Sequence, residues 1–121
     1  MNSLELMYSY PKGYGKLKEL NLVNFDNWYF IPDDQVENRF WGIRKRYPSR
    51  KYLPFARRDD CDDIACFEEG KGDIVFIVHD FASEGYEERK QYTDIWEWFR
   101  DVVFELISDN QEREPGSVKQ T

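Results

Sequence analysis

Histidine occurs once in this chain of 121 residues, at His79, and cysteine only twice, at Cys61 and Cys66. Those three donors cannot close a tetrahedral zinc site without a distant carboxylate. Two cysteines also fall short of the disulfide framework that small secreted domains carry. Cys66 sits in an apolar run and reads as a small buried hydrophobe, whereas Cys61 lies among carboxylates that disfavour its thiolate. No apolar run approaches the roughly 20 residues of a membrane helix. The start, MNSLELMYSYPKGYG, has neither the basic opening nor the apolar stretch of a secretory leader, so a cytoplasmic location is expected. Glycine-rich phosphate loops, nucleophile elbows and internal repeats are missing too. At this length a single domain with a sizeable core is expected.

Charge is what the chain has in quantity. The net charge is −7, and it is unevenly spread. Between Arg39 and Arg58 there are eight basic residues and no acidic one; between Asp59 and Glu88 there are eleven acidic residues and a single lysine, Lys71. Such a chain either folds into opposed patches or interleaves them in space. Overall acidity argues against a general nucleic-acid binder and permits steering towards a basic partner.

Residues 1–10 show no firm period. Tyr14 to Leu22 places Leu17 and Leu20 on one side of a short helix, with Pro11 suited to its entrance. Asn27 to Ile31 reads as a strand ending at Pro32. A second helix is expected from Asp33, with Val36, Phe40 and Ile43 at helical spacing, ending before Pro48. The centre reads as a meander of three strands, Tyr52–Arg57, Asp63–Phe67 and Asp73–His79. Pro54 suggests an edge or a strand end for the first. DIVFIVH is apolar on both alternating faces, which places it centrally or under cover on both sides. From Asp94 to Ser108 runs the clearest helix, with Ile95, Phe99, Val102, Val103 and Leu106 on one face, Trp96 and Trp98 widening it, and Thr93 or Asp94 as N-cap. Residues 109–121 carry nothing to bury and are expected to form a disordered tail beyond a domain spanning 1–108.

The stretch Pro54–Phe67, PFARRDDCDDIACF, holds the densest chemistry. Asp59, Asp60, Asp62 and Asp63 could offer oxygens to a hard cation, but their spacing does not match a calcium-binding loop. Glu69-Gly70-Lys71 with Asp60 superficially matches a metal-dependent nuclease pattern, yet it sits between glycines in an expected hairpin turn. His79, Asp80 and Ser83 offer a nominal base, acid and nucleophile without a supporting motif, and His79 reads as a strand-end residue. Arg44 to Tyr52 mixes cations and aromatics that could grip phosphates, but Arg44, Lys45 and Arg46 also suit the end of a helix. The acid cluster remains either a solvated turn or a binding surface. Two carboxylates about 7 Å apart in water repel by only about 0.6 kcal/mol, so the cluster does not demand a cation.

The ordered set Trp28, Tyr47-Pro48, PFARRDDCDDIACF, His79-Asp80-Phe81-Ala82-Ser83, Gly85-Tyr86-Glu87 and Trp96-Glu97-Trp98 resembles the SUKH superfamily. These are small bacterial toxin-immunity proteins related to fungal regulators of cell-wall assembly. The chain departs from many relatives at Asn21-Leu22, where they end a helix in Asn-Gly, a difference that bears on the packing of the first helix. The resemblance implies an α+β fold, a mostly antiparallel sheet flanked by helices. It implies no enzymatic activity and the neutralisation of a secreted toxin by direct binding; a monomer without a cofactor is expected. Many such toxins are nucleases with basic faces. On charge, the expected toxin-binding residues are Asp59, Asp60, Asp62, Asp63, Glu68 and Glu69, with Glu84, Glu87 and Glu88 as a second patch. The resemblance also makes Phe55, Ala56, Ile64, Ala65, Cys66 and Phe67 core, and Arg57 and Arg58 partners for nearby aspartates. The rival is a regulatory or nucleic-acid-binding module acting through residues 39–58.

Overall fold

A computed structural model describes residues 1–113, which form four helices and one six-stranded sheet. Helices α1 (Ser3–Met7) and α2 (Lys12–Glu19) precede strands β1 (Asn24–Phe25) and β2 (Trp28–Phe30). Helix α3 (Asp33–Arg46) follows, then strands β3 (Tyr52–Arg58), β4 (Asp63–Glu68), β5 (Val75–His79) and β6 (Glu88–Tyr92), and finally α4 (Ile95–Arg113). The strands lie in the order β1-β2-β3-β4-β5-β6, and every neighbouring pair is antiparallel. The fold class is α+β.

Both faces of the sheet are buried because its central strands are apolar on both sides. On one face Phe30, Phe55, Phe67, Val75 and Ile77 pack with Tyr14 and Leu17 of α2 and Trp98 of α4. Phe55 and Phe67 stack at 4.5 Å, and Trp98 meets Phe25, Trp28 and Phe55 edge-on. Such pairs add about 0.5–1.5 kcal/mol beyond area burial. On the other face Tyr52, Ile64, Cys66, Phe76 and Val78 pack under Ile43 of α3 and Tyr47 just beyond it. The alternation Val75, Phe76, Ile77, Val78 feeds the two layers in turn, as the expected central position of DIVFIVH requires.

Helix ends follow local chemistry. The carbonyl of Leu17 accepts from Leu22 and that of Lys18 from Asn21, which adopts φ 58. Asparagine tolerates this left-handed conformation, so it ends α2 without a glycine. Asp94 rather than Thr93 caps α4, its Oδ1 accepting from the Glu97 amide at 2.9 Å.

Four expectations change. Residues 1–10 contain α1, whose five residues are too few to show a period; the signal was the capping box of Asn2 and Glu5. Strand β3 is central, not an edge. Pro54 is tolerated because the ladder to β4 shifts register between Pro54 and Ala56, so a residue without an N–H falls where the ladder is already interrupted. Trp98 is the buried centre of the α4 face, while Trp96 leaves it and is exposed beside Phe99, Val103, Phe104 and Ile107. Finally, α4 continues past Ser108 to Arg113, and Asn27 donates to Asp109 at 2.8 Å. The rest of the expected tail, 114–121, lies outside the described residues.

Candidate protein-binding face

The meander divides the acidic residues between two ends of the sheet. Strand β4 begins at Asp63 and ends at Glu68, roughly 17 Å apart at the usual rise of a strand. Asp59, Asp60 and Asp62 form the β3–β4 turn at one end. The β5–β6 loop, residues 80–87, stands at the same end, tied to the turn by the Asp80 amide donating to the Asp62 carbonyl at 3.0 Å. Glu69 lies at the opposite end, paired with Lys51 at 3.2 Å. The nine expected residues are therefore not one surface.

Several are internal. Glu68 is buried and receives two hydrogen bonds from Arg50, at 2.8 and 2.7 Å; Glu88 takes a third at 3.2 Å. Glu87 is also buried, accepting from the Tyr52 hydroxyl at 2.8 Å and the Gly85 amide at 2.7 Å. Burial raises its pKa, but these hydrogen bonds and its own amide outweigh that and hold the carboxyl below its usual range. Asp63 Oδ1 lies 2.7 Å from His79 Nδ1. Asp60 is exposed but held bidentate by Arg58, which also grips Glu105 and pulls the Asp60 pKa down. Arg57 makes no such pair and lies over the Tyr29 ring. Asp59, Asp62 and Glu84 remain exposed, Glu84 with only a 3.5 Å contact from Ser49.

The loop that shares this end is locked. Asp80, 1% exposed, receives Nε and Nη2 of Arg46 at 2.6 Å each, and its Oδ1 also accepts the Phe81 amide at 2.9 Å. The Tyr47 hydroxyl donates to the Ala82 carbonyl at 2.7 Å, and Gly85 supplies φ 94. What the lock presents is aromatic. Phe81 is 64% exposed in the left-handed region at φ 71, and Tyr86 is 78% exposed. A bulky residue held at positive φ costs of order 1–3 kcal/mol and persists where its surroundings dictate it. Exposed aromatics on a rigid loop beside free carboxylates have the composition of an interface centre.

Sequence reasoning missed Phe81 and Tyr86 as surface residues. No local signal marked them, because the burial of their neighbours Asp80 and Glu87 depends on the distant Arg46 and Tyr52. Around Cys61, burial first and then the charges of Asp63 and Asp60 push the thiol pKa up; Cys66 is fully buried, and both are free. Among the described residues no three His, Cys, Asp or Glu side chains converge in a way that could hold a metal ion. Nor is any described helix long and apolar enough to cross a membrane.

The model of the SMI1 / KNR4 family (SUKH-1) matches residues 5–103, a stretch that includes this loop. The chain belongs to the SUKH-1 family. No curated protein and no solved structure matches it. In this SUKH-1 domain the motif His79–Glu87 is a device for holding a loop. His79 fastens to β4, Asp80 to α3, Glu87 to β3, and Phe81 and Tyr86 are left outside.

Proposed function

We propose that this SUKH-1 protein is an immunity protein that neutralises a cognate secreted bacterial toxin by direct binding. Family membership over residues 5–103 carries the reading, because the family includes toxin-immunity proteins. The geometry supports it with one exposed end, which Asp59, Asp62 and Glu84 share with Phe81 and Tyr86. A net charge of −7 fits a basic toxin domain, such as a nuclease whose substrate face is cationic. The aromatics supply buried contact area and the carboxylates speed encounter.

The rival surface, residues 39–58, gains little support as a track for nucleic acid. Arg46, Arg50, Lys51 and Arg58 are all paired with carboxylates of this chain.

The test is co-expression with the toxic domain encoded beside it. Reversing Asp59, Asp62 and Glu84 to lysine should slow association with that domain by about tenfold or more and flatten its salt dependence. Phe81→Ala should speed dissociation. Reversing Glu69 and Asp73, at the opposite end, should do neither. Full protection by the triple reversal would sink this assignment of the face.

A further inference from the structure

Beside the exposed end, a cleft of about 400 Å³ opens between α3 and β3. Arg39, Arg46 and Arg57 line it with the amides of Gln35 and Asn38, and Phe81 forms part of its wall. Among the described residues, these three guanidiniums meet one carboxylate, that of Asp80. Arg46 is bidentate to it, Arg39 stands 3.7 Å away, and Arg57 has no carboxylate partner among the described residues. Two positive charges are thus left uncompensated in a cleft of an acidic protein. Gly42 makes room for this: a Cβ there would come within 3.1 Å of the Arg46 guanidinium. The Phe81 ring stacks on Arg46 at 4.1 Å and fixes the plane of the fork.

Resting on the immunity reading, and naming what the partner must present, we propose that this cleft receives a carboxylate of the partner protein, an acidic side chain or a chain terminus. The Arg46 fork is already occupied by Asp80, so the incoming carboxylate takes its donors from Arg57 and Arg39, whose guanidiniums match it in shape and flank the anchored Arg46. A polyanion fits less well. Asp59 stands two residues beyond Arg57, and Asp62 is bonded to the residue before Phe81, so an extended nucleic acid would meet carboxylates on leaving the cleft. The complementary partner surface is basic, with one acid at its centre. That arrangement rejects partners that are basic throughout, because the cleft would then be buried with its charge unpaired.

The test needs no toxin. The full chain, labelled with nitrogen-15, is titrated separately with acetyl-Gly-Glu-Gly-amide, acetyl-Gly-Gln-Gly-amide, inorganic phosphate and an oligothymidine. The glutamate peptide should shift the arginine Nε signals and the Phe81 amide saturably, and the glutamine peptide should not. Arg57→Gln should weaken that binding by about tenfold while leaving the remaining spectrum in place. Equal shifts from the glutamine peptide, no saturable shift, or tighter binding of phosphate or oligothymidine would each overturn the proposal. Loss of glutamate binding in Arg57→Gln with undiminished neutralisation of the toxin would also overturn it while leaving the immunity function intact. Glutamate binding in a wild-type chain that protects against no toxin would instead remove the immunity reading and keep the cleft.

Discussion

Arg50 lies flat across the second face of the sheet, its guanidinium 4.7 Å from the Tyr52 ring and 5.3 Å from that of Phe76. Its charge is there for Glu68, which is 8% exposed and has no other cation within reach among the described residues. The carboxylate would otherwise be a buried ion without compensation, the most expensive state a polar group can occupy. Because the Arg50 side chain is itself 29% exposed, screening discounts the pair. Arg50→Ala should then cost about 2–3 kcal/mol, through the stranded carboxylate and the lost cover on both rings. In a double-mutant cycle, Arg50→Ala with Glu68→Ala should cost less than the two singles together by about 1 kcal/mol. Strict additivity in urea unfolding would show that the two side chains are not coupled. Glu68 also shows why the acidic anchors were only partly legible. Next to Glu69 in a glycine-rich link it reads as surface, and nothing local reveals an arginine eighteen residues earlier lying over it. Asp59 and Asp62 have no such distant partner among the described residues, and for them local reasoning suffices.

At the scale of elements, α2 and α4 touch through a glycine. A Cβ on Gly13 would lie 2.5 Å from Ile95 Cγ2 and 3.2 Å from the Trp96 indole nitrogen. Ile95 is buried and branched at Cβ, so it has little freedom to yield. Gly15, two residues further along the same helix, has nothing within 4 Å of its Cβ position. The same substitution should therefore have opposite signs at the two sites. Gly13→Ala should destabilise by about 1–3 kcal/mol through overpacking, and Gly15→Ala should stabilise by about 0.5–1 kcal/mol through helix propensity. Matching shifts in thermal midpoint would contradict the close approach of the two helices. Elements with a period long enough to register were readable in advance. Val36, Phe40 and Ile43 mark α3, and the doubly apolar run Val75–Val78 marks a central strand. What escaped lacked a pattern. Strand β1 has two residues, and β6 (ERKQY) is an edge strand whose polar side chains blunt it against further pairing. Pro54 misled because the bulge that tolerates it depends on the register of the neighbouring strand.

At the scale of the molecule, the segregated charge of the chain becomes interleaved in space. The basic stretch 39–58 reaches across the sheet to Asp80, Glu68, Glu88, Glu69 and Glu105, leaving one locally basic cleft and one acidic rim at the same end. Burial of the tyrosines, with carboxylates adding to it at some of them, sets the response to alkali. Burial is the leading cause that raises the pKa of Tyr10, Tyr14, Tyr47, Tyr52 and Tyr92 above 10.0. Tyr14 is pushed up to about 12. Nearby acids add to this for Tyr47, through Asp80, and for Tyr52, through Glu87. Below pH 10 both folded and unfolded chains keep these protons, and stability is untouched. Above it the unfolded chain ionises first, so stability falls as pH rises towards the folded values. Tyr14, Tyr47 and Tyr52 are buried, and each should remove up to about 1.4 kcal/mol per pH unit, roughly 4 kcal/mol together. Lys18 acts in the same direction. Its burial disfavours the charge, but Asp33 and Glu5 hold its proton above the usual range. A domain stability of about 5–15 kcal/mol would then be exhausted within a few units of pH 10. The phenolate absorbance of the native chain should stay below that of eight free tyrosines until the fold is lost, then rise together with the change in circular dichroism. Full phenolate absorbance in a chain that still showed its native circular dichroism would refute this account of the buried tyrosines.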